Sequence, residues 1–141
     1  MRLLIDTNVI LDDVLKRPDH LAASHLVISF YGTDHDAWIA WHSLSNLFYI
    51  LRKFLQSSEG AQNLIKDLLD WIHVSPVEHS DALRAFTLGL TDFEDALQIV
   101  AAESCQADFI VTRDSSHYAK STVPAVTPTQ FLRRFHPGLL P

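Results

Sequence analysis

The residues that could do chemistry are aspartates placed where short apolar runs end. Asp6 directly follows Leu3-Leu4-Ile5, and Asp114 lies two residues past the run Phe109 to Thr112. Asp92 and Asp95 open the helical segment before that last run. At about 100° per residue they sit roughly 60° apart and border its apolar face, while Glu94 points to the other side and caps. In an open parallel sheet functional groups collect beyond the carboxyl ends of the strands, and right-handed crossovers bring Asp6 and Asp114 to one edge. Carboxylates gathered there repel by about 1 kcal/mol per pair at 4 Å in water and about 4 near a protein surface, a cost that a cation among them removes. Hard oxygen donors favour magnesium or manganese over zinc. Such an ion polarises a phosphoryl oxygen and lowers the pKa of a bound water, so the chemistry that follows is hydrolysis of a phosphodiester or phosphate ester. Each acid alone has a plainer role: Asp6 as an N-cap, Asp92 and Asp95 as first-turn acids complementing a helix dipole, Asp114 as the opener of a turn. Their convergence on one edge is what those separate roles do not require.

The elements that must position these acids alternate between short runs rich in branched or aromatic residues and longer segments of helical period, the pattern of a parallel sheet covered by helices. Leu3-Leu4-Ile5 is the first strand. Asp6-Thr7-Asn8 caps a helix through about Lys16, and Pro18 begins another whose end Gly32 marks. Ala37 to Trp41 reads as the second strand, followed by Ser43 as an N-cap. Leu44, Leu47, Phe48, Leu51, Phe54 and Leu55 then form one apolar stripe. Ser57-Ser58-Glu59-Gly60 breaks that helix, and the next carries Leu64, Ile65, Leu68 and Leu69 toward a third strand near Ile72 to Val77. A helix from Asp81 to Leu88 stops at Gly89. Thr91-Asp92-Phe93-Glu94 fits a capping box for a helix burying Phe93, Leu97, Val100, Ala101 and Ser104. Asp108 to Arg113 gives the strongest strand signal, and Ala125-Val126-Thr127 runs into a last helix at Pro128.

Taken together, Ile5-Asp6-Thr7-Asn8-Val9-Ile10-Leu11, Asp92-Phe93-Glu94-Asp95-Ala96-Leu97-Gln98 with Ala101-Ala102 behind it, and Ile110-Val111-Thr112-Arg113-Asp114 resemble the PIN-domain nucleases. Order and spacing match over nearly the whole chain, including Thr127-Pro128-Thr129-Gln130-Phe131-Leu132. The resemblance implies a three-layer α/β/α fold with a central parallel sheet of four to five strands, one or two Mg2+ or Mn2+ ions, and cleavage of RNA by activated water. Many bacterial relatives are toxin halves of toxin-antitoxin pairs, so an antitoxin partner and a homodimer are implied as well. Asp6, Asp95 and Asp114 match the family's first, third and fourth acids, with Asn8 and Thr112 as polar neighbours that orient ligands or water. The second acid is the departure. Where many members carry a glutamate on the helix after strand two, this sequence holds Asn46, whose carbonyl oxygen brings no charge. Asp92 is the residue expected to supply the missing carboxylate.

Other residue types add less. The eight histidines show no recurring ligand spacing, and His117 alone, just after Asp114-Ser115-Ser116, is placed to reach a substrate phosphate. Trp38, Trp41 and Trp71 fall in or beside strand runs and are expected in the core, and Phe48, Tyr49 and Phe54 in the core or on a dimer face. Arg113 adjoins the acids, with Lys16, Arg17, Arg52 and Lys53 as rim cations for RNA. The glycines stand alone, which argues against phosphate-cradling loops and nucleotide cofactors.

With 141 residues, the chain reads as one domain over 1–141. Eleven Lys and Arg against seventeen Asp and Glu give a net charge of -6, which excludes a broad basic platform for nucleic acid and leaves a metal-centred site open. A single cysteine, Cys105, and the lack of any long apolar run predict a soluble cytoplasmic protein without a membrane partner. Two alternatives remain beside the nuclease. One is a haloacid-dehalogenase type of phosphate transfer with Asp6 as nucleophile, weakened because Asn8 stands where a second Asp would be. The other is a PIN-like domain that has lost catalysis and binds a partner.

Overall fold

The computed structural model describes residues 1–18, 20–30 and 33–140, without the side chains of His20 and Ile28. Five strands, β1 (Arg2–Ile5), β2 (Asp36–Ile39), β3 (Ile72–Val74), β4 (Phe109–Val111) and β5 (Ala125–Val126), form one sheet in the order β3-β2-β1-β4-β5. Every pairing is parallel, with Leu3 opposite both Ala37 and Phe109. The helices between them are α1 (Thr7–Val14), α2 (His20–Ser29), α3 (Trp41–Leu55), α4 (Ser58–Leu68), α5 (His79–Thr87), α6 (Phe93–Ser104) and α7 (Pro128–Phe135).

Alternation along the strands divides the core between the two sheet faces. Leu3, Ile5, Ala37, Ile39 and Val111 face one side, where they pack with Val9, Leu11, Leu26, Leu47, Leu51 and Phe131 from the helices. Leu4 and Ile110 face the other, against Ile99, Ala102 and Tyr118. Helices thus cover both faces, which is the expected three-layer α/β/α arrangement with all strands parallel. Each fully buried Leu or Ile contributes about 1.5–3 kcal/mol of transfer free energy.

Several boundaries differ from the expectation. Gly32, expected to end the second helix, lies outside the described residues. Strand β2 stops at Ile39, and Trp41 is the first residue of α3, 60 % exposed rather than in the core. Ser43 is therefore not an N-cap but a buried residue in the first turn of α3, accepting a hydrogen bond from Gln98 Nε2 at 3.2 Å. The break after α3 is shorter than expected: Gln56 takes a left-handed conformation, Ser57 caps, and Ser58 already begins α4. Phe54 and Leu55 leave the buried stripe and face solvent. On α6 the buried residues are Ala96, Gln98, Ile99, Val100 and Ala102, while Phe93 is exposed. Gly89 does stop α5, at φ +61°, where a side chain would be strained. Among the described residues no helix is long and apolar enough to cross a membrane.

Candidate active site

Adjacent strands place the first acid. β1 and β4 pair with Ile5 opposite Val111, so Asp6 and Thr112 leave the sheet side by side. The Asp6 amide donates to Val111 O at 2.9 Å and the Thr112 hydroxyl donates to Asp6 Oδ2 at 2.9 Å. Although Asp6 occupies the N-cap position of α1, its side chain makes no cap hydrogen bond; the carboxylate is committed to the sheet edge instead. Burial pushes the Asp6 carboxyl above its ordinary value, against the pull of the Thr112 hydroxyl and the Arg113 charge.

The start of α6 brings the next acids, in a phase different from the expected one. Asp92, not Thr91, is the N-cap: its Oδ1 accepts from the amides of Glu94 at 2.9 Å and Asp95 at 3.4 Å. Glu94 does not point away and cap. Its Oε1 accepts from Asn46 Nδ2 at 2.8 Å, across from α3. Burial raises the Glu94 carboxyl, and the charges of Asp92, Asp6 and Asp95 raise it further. Asp95 is raised by burial first and then by Asp92, with His117 working the other way. Asp92 thus caps α6 through Oδ1, and Glu94 is the carboxylate that meets Asn46.

Beyond β4, the Asp114 amide donates to Thr112 Oγ1 at 3.4 Å, and its Oδ1 accepts from the Ser116 amide at 2.9 Å and hydroxyl at 2.5 Å. These bonds open a short 3-10 turn, Ser115–Tyr118, and hold the Asp114 carboxyl below its ordinary range. His117 in that turn lies between two acids, with Nδ1 3.5 Å from Asp95 Oδ2 and Nε2 3.5 Å from Asp114 Oδ2. Asp6, Asp95, Asp114, Thr112 and His117 thus share one edge. Asn8 does not join them: it is exposed, and its Oδ1 accepts from Arg17 Nη1 at 3.2 Å. Of the expected rim cations, Arg113 and Arg17 flank Asp12, at 3.4 and 3.6 Å.

Two neighbours escaped sequence reasoning. Tyr118 is buried under the edge, and burial with the charges of Asp6 and Asp95 raises its phenol above the ordinary value. Asp12 is 2 % exposed. A charged residue directly following the apolar Val9-Ile10-Leu11 was the available signal for it, since lone carboxylates are seldom buried.

Among the described residues no three His, Cys, Asp or Glu side chains are gathered closely enough to hold a metal ion as they stand. The donor set nonetheless fits a hard cation in kind. The acids at the edge offer carboxylate oxygens, and burial first, then one another's charge, raises Glu94 and Asp95. His117 lies between Asp95 and Asp114, 3.5 Å from a carboxylate oxygen of each.

A parallel α/β/α sheet with carboxylates beyond strands one and four defines the structural class, and the comparisons with known proteins narrow it. A PIN-domain family model matches residues 2–116, and the chain belongs to the PIN-domain family. Among solved structures, VapBC2 from Rickettsia felis, bound to a DNA fragment from its promoter, is similar with a TM-score of 0.71 and 16 % identity over 90 % of this chain and 98 % of that one. VapBC-1 from nontypeable Haemophilus influenzae is similar at 0.69 and 16 %, over 92 % and 99 %. A toxin-antitoxin complex from Klebsiella pneumoniae is similar at 0.65 and 19 %, over 89 % and 97 %. No curated protein matches the chain in sequence.

Proposed function

We propose that the protein is a metal-dependent endoribonuclease and the toxin half of a toxin-antitoxin pair. The observation that carries this is the shared edge at which Asp6, Asp95 and Asp114 meet around Thr112 and His117, with Glu94 turned to Asn46. Asp6, Asp95 and Asp114 would hold Mg2+ or Mn2+, with Glu94 supplying the carboxylate that Asn46 lacks. A divalent ion there would polarise a phosphoryl oxygen and make a water easier to deprotonate. The chain's own groups do the rest. Thr112 orients the Asp6 carboxylate through its hydroxyl, Asn46 orients Glu94, and Ser116 fixes Asp114. Arg113, beside the acids, would take an RNA phosphate, and His117, in the turn after Asp114, would contact substrate.

The antitoxin and homodimer belong to the same proposal. The similar structure from Klebsiella pneumoniae is a toxin-antitoxin complex, and in this chain Tyr49, Ile50 and Phe54 leave an exposed apolar face on α3. The competing view, a PIN domain that binds a partner without cutting, is favoured by Asn46 and by the open spacing of the carboxylates. The two separate in RNA cleavage with added Mn2+, run beside calorimetric Mn2+ binding for wild type, Asp6→Asn and Asp95→Asn. The nuclease predicts at least 100-fold loss of rate in each variant, as the one removed ligand costs about 3 kcal/mol of barrier. Equal activity in all three proteins would end it, and inactive wild type that still binds an antitoxin would favour the partner-binding view.

A further inference from the structure

Two contacts set how α3 lies against α6. Gln98 Nε2 donates to Ser43 Oγ at 3.2 Å, and Asn46 Nδ2 donates to Glu94 Oε1 at 2.8 Å. As α3 advances from Ser43 to Asn46, its partner on α6 falls back from Gln98 to Glu94, so the two helices run in opposite directions. Asn46 therefore stands level with the first turn of α6, where Glu94 and Asp95 follow the Asp92 cap, and α3 still has residues 47–55 to run. Its last turns pass beyond the acids.

Those turns present an aromatic ring between two cations. Tyr49 is 66 % exposed, and Arg52 and Lys53 are exposed in the turn after it. At about 100° per residue, Arg52 stands about 60° to one side of Tyr49 and Lys53 about 40° to the other. With Gln56 they line a wide groove of about 750 Å³, open to solvent. Among the described residues neither cation forms an ion pair, whereas Arg2, Lys16, Arg84 and Arg113 each meet a carboxylate. Their place in the last turn of α3 complements the helix dipole, but that role asks for no ring between them and no groove. At about 1.5 Å per residue, Lys53 stands about 10 Å along the axis from Asn46, close enough for a strand whose phosphate lies at the acids to continue over it. Phe54 lies about 140° round the helix from Tyr49, beside Leu15, so a protein partner seated on Phe54 and a strand on Tyr49 need not compete.

We propose that the Tyr49, Arg52 and Lys53 face of α3 is a binding track for single-stranded RNA, with Tyr49 stacking an unpaired base and Arg52 and Lys53 holding the phosphates beside it. The track rests on the ribonuclease proposal for its ligand and narrows that ligand to unpaired strands, since the bases of a duplex offer the ring no open face. Rings stack on any base and cations follow the backbone, so the track selects strandedness rather than sequence. The test reads binding to a fluorescent RNA of mixed sequence, alone and annealed to its complement, over a range of salt in EDTA, where metal-dependent cleavage does not run. Wild type is compared with Tyr49→Leu, Tyr49→Phe and the double variant Arg52→Gln/Lys53→Gln, with KM and kcat from cleavage in Mn2+, Mn2+ affinity from calorimetry and mass from light scattering.

The double variant is expected to raise the single-strand Kd and KM about 5- to 30-fold and to make the slope of log K against log salt shallower by about 1.4, roughly 0.7 for each of two phosphates released. Tyr49→Leu should raise the same constants about 5- to 30-fold with the salt slope unchanged, because the ring carries no charge, and should leave duplex binding within about twofold. Tyr49→Phe keeps the ring and should bind as wild type does. In all of them kcat and Mn2+ affinity should stay within about twofold, since none of these residues touches the acids. Unchanged single-strand binding in either Tyr49→Leu or the double variant overturns the track. A mass below that of wild type in either one assigns the stripe to a second copy of the chain and overturns it as well. Wild type that neither binds nor cuts RNA would overturn the track together with the ribonuclease proposal, whereas RNA-cleaving wild type with unaffected variants would overturn the track alone.

Discussion

The acids at the edge oppose one another in their response to pH. Asp6, Glu94 and Asp95 are raised in the folded state, Asp6 by burial and the other two by burial and neighbouring acids. Raised carboxyls stabilise the fold fully below the ordinary carboxylate range and lose that contribution as pH rises through their folded values. Asp114 is lowered by Ser116, so its contribution is present above the ordinary value and is lost as pH falls through the folded one. The metal-free protein should therefore lose stability as pH climbs from the carboxylate range toward neutrality. Asp95→Asn should flatten that fall and raise the neutral Tm in EDTA by about 2–4 °C, a gain of about 1 kcal/mol or less once solvent screening is counted. Thermal scans in EDTA across pH check this, and a lower Tm for Asp95→Asn would show that the carboxylate is already compensated. Gathering Asp6, Glu94 and Asp95 without a cation costs stability that amides at those positions would not, and that cost is the physical reason to look for function at this edge.

At the scale of elements, the start of α6 decides which acids face the site. One residue of phase rotates a helical position by about 100°. With the cap at Asp92, Glu94 falls in the first turn and meets Asn46. The sequence pattern contained both options, because Thr91 and Asp92 are each good caps and Glu94 stands three residues from the first. Packing made the choice: Ala96, Ile99 and Val100 are the residues that reach the core, and burying them fixes the helix rotation. Asp92→Ala should cost about 1 kcal/mol, or ~2–4 °C in Tm, by releasing the amides of Glu94 and Asp95. Its effect on Mn2+ affinity should be several-fold smaller than that of Glu94→Gln. Calorimetry on the two variants decides, and the reverse order would return Asp92 to the role of ligand. Elsewhere the periodic signals served well. β4, the start of α7 at Pro128 and the stop at Gly89 were all legible, because each depends on neighbours within four residues.

Over the whole molecule, apolar surface remains uncovered on two sides. Tyr49 and Phe54 on α3 are 66 % and 63 % exposed, and Phe86 on α5 stacks on Phe93 at 4.6 Å with both rings open to solvent. Contiguous aromatic surface of this kind marks association sites in folded proteins. Within the homodimer proposal, Phe54→Glu should reduce the mass seen by light scattering from two copies to one while leaving the far-ultraviolet circular dichroism unchanged. A monomeric wild type would remove the homodimer and leave this face to an antitoxin.

What the chain's order of residues determined by itself was the alternation of elements, the parallel sheet and the three acids Asp6, Asp95 and Asp114 at one edge. Periodicity, caps and strand-to-crossover handedness are local rules, and they suffice for that much. Tertiary packing decided the rest: that Trp41 starts a helix and faces solvent, that Glu94 rather than Asp92 meets Asn46, that His117 sits between Asp95 and Asp114, and that Asp12 is buried against two arginines. Each of these depends on a helix's rotation about its own axis or on a side chain meeting a partner far away in sequence. Only the burial of a common core sets both.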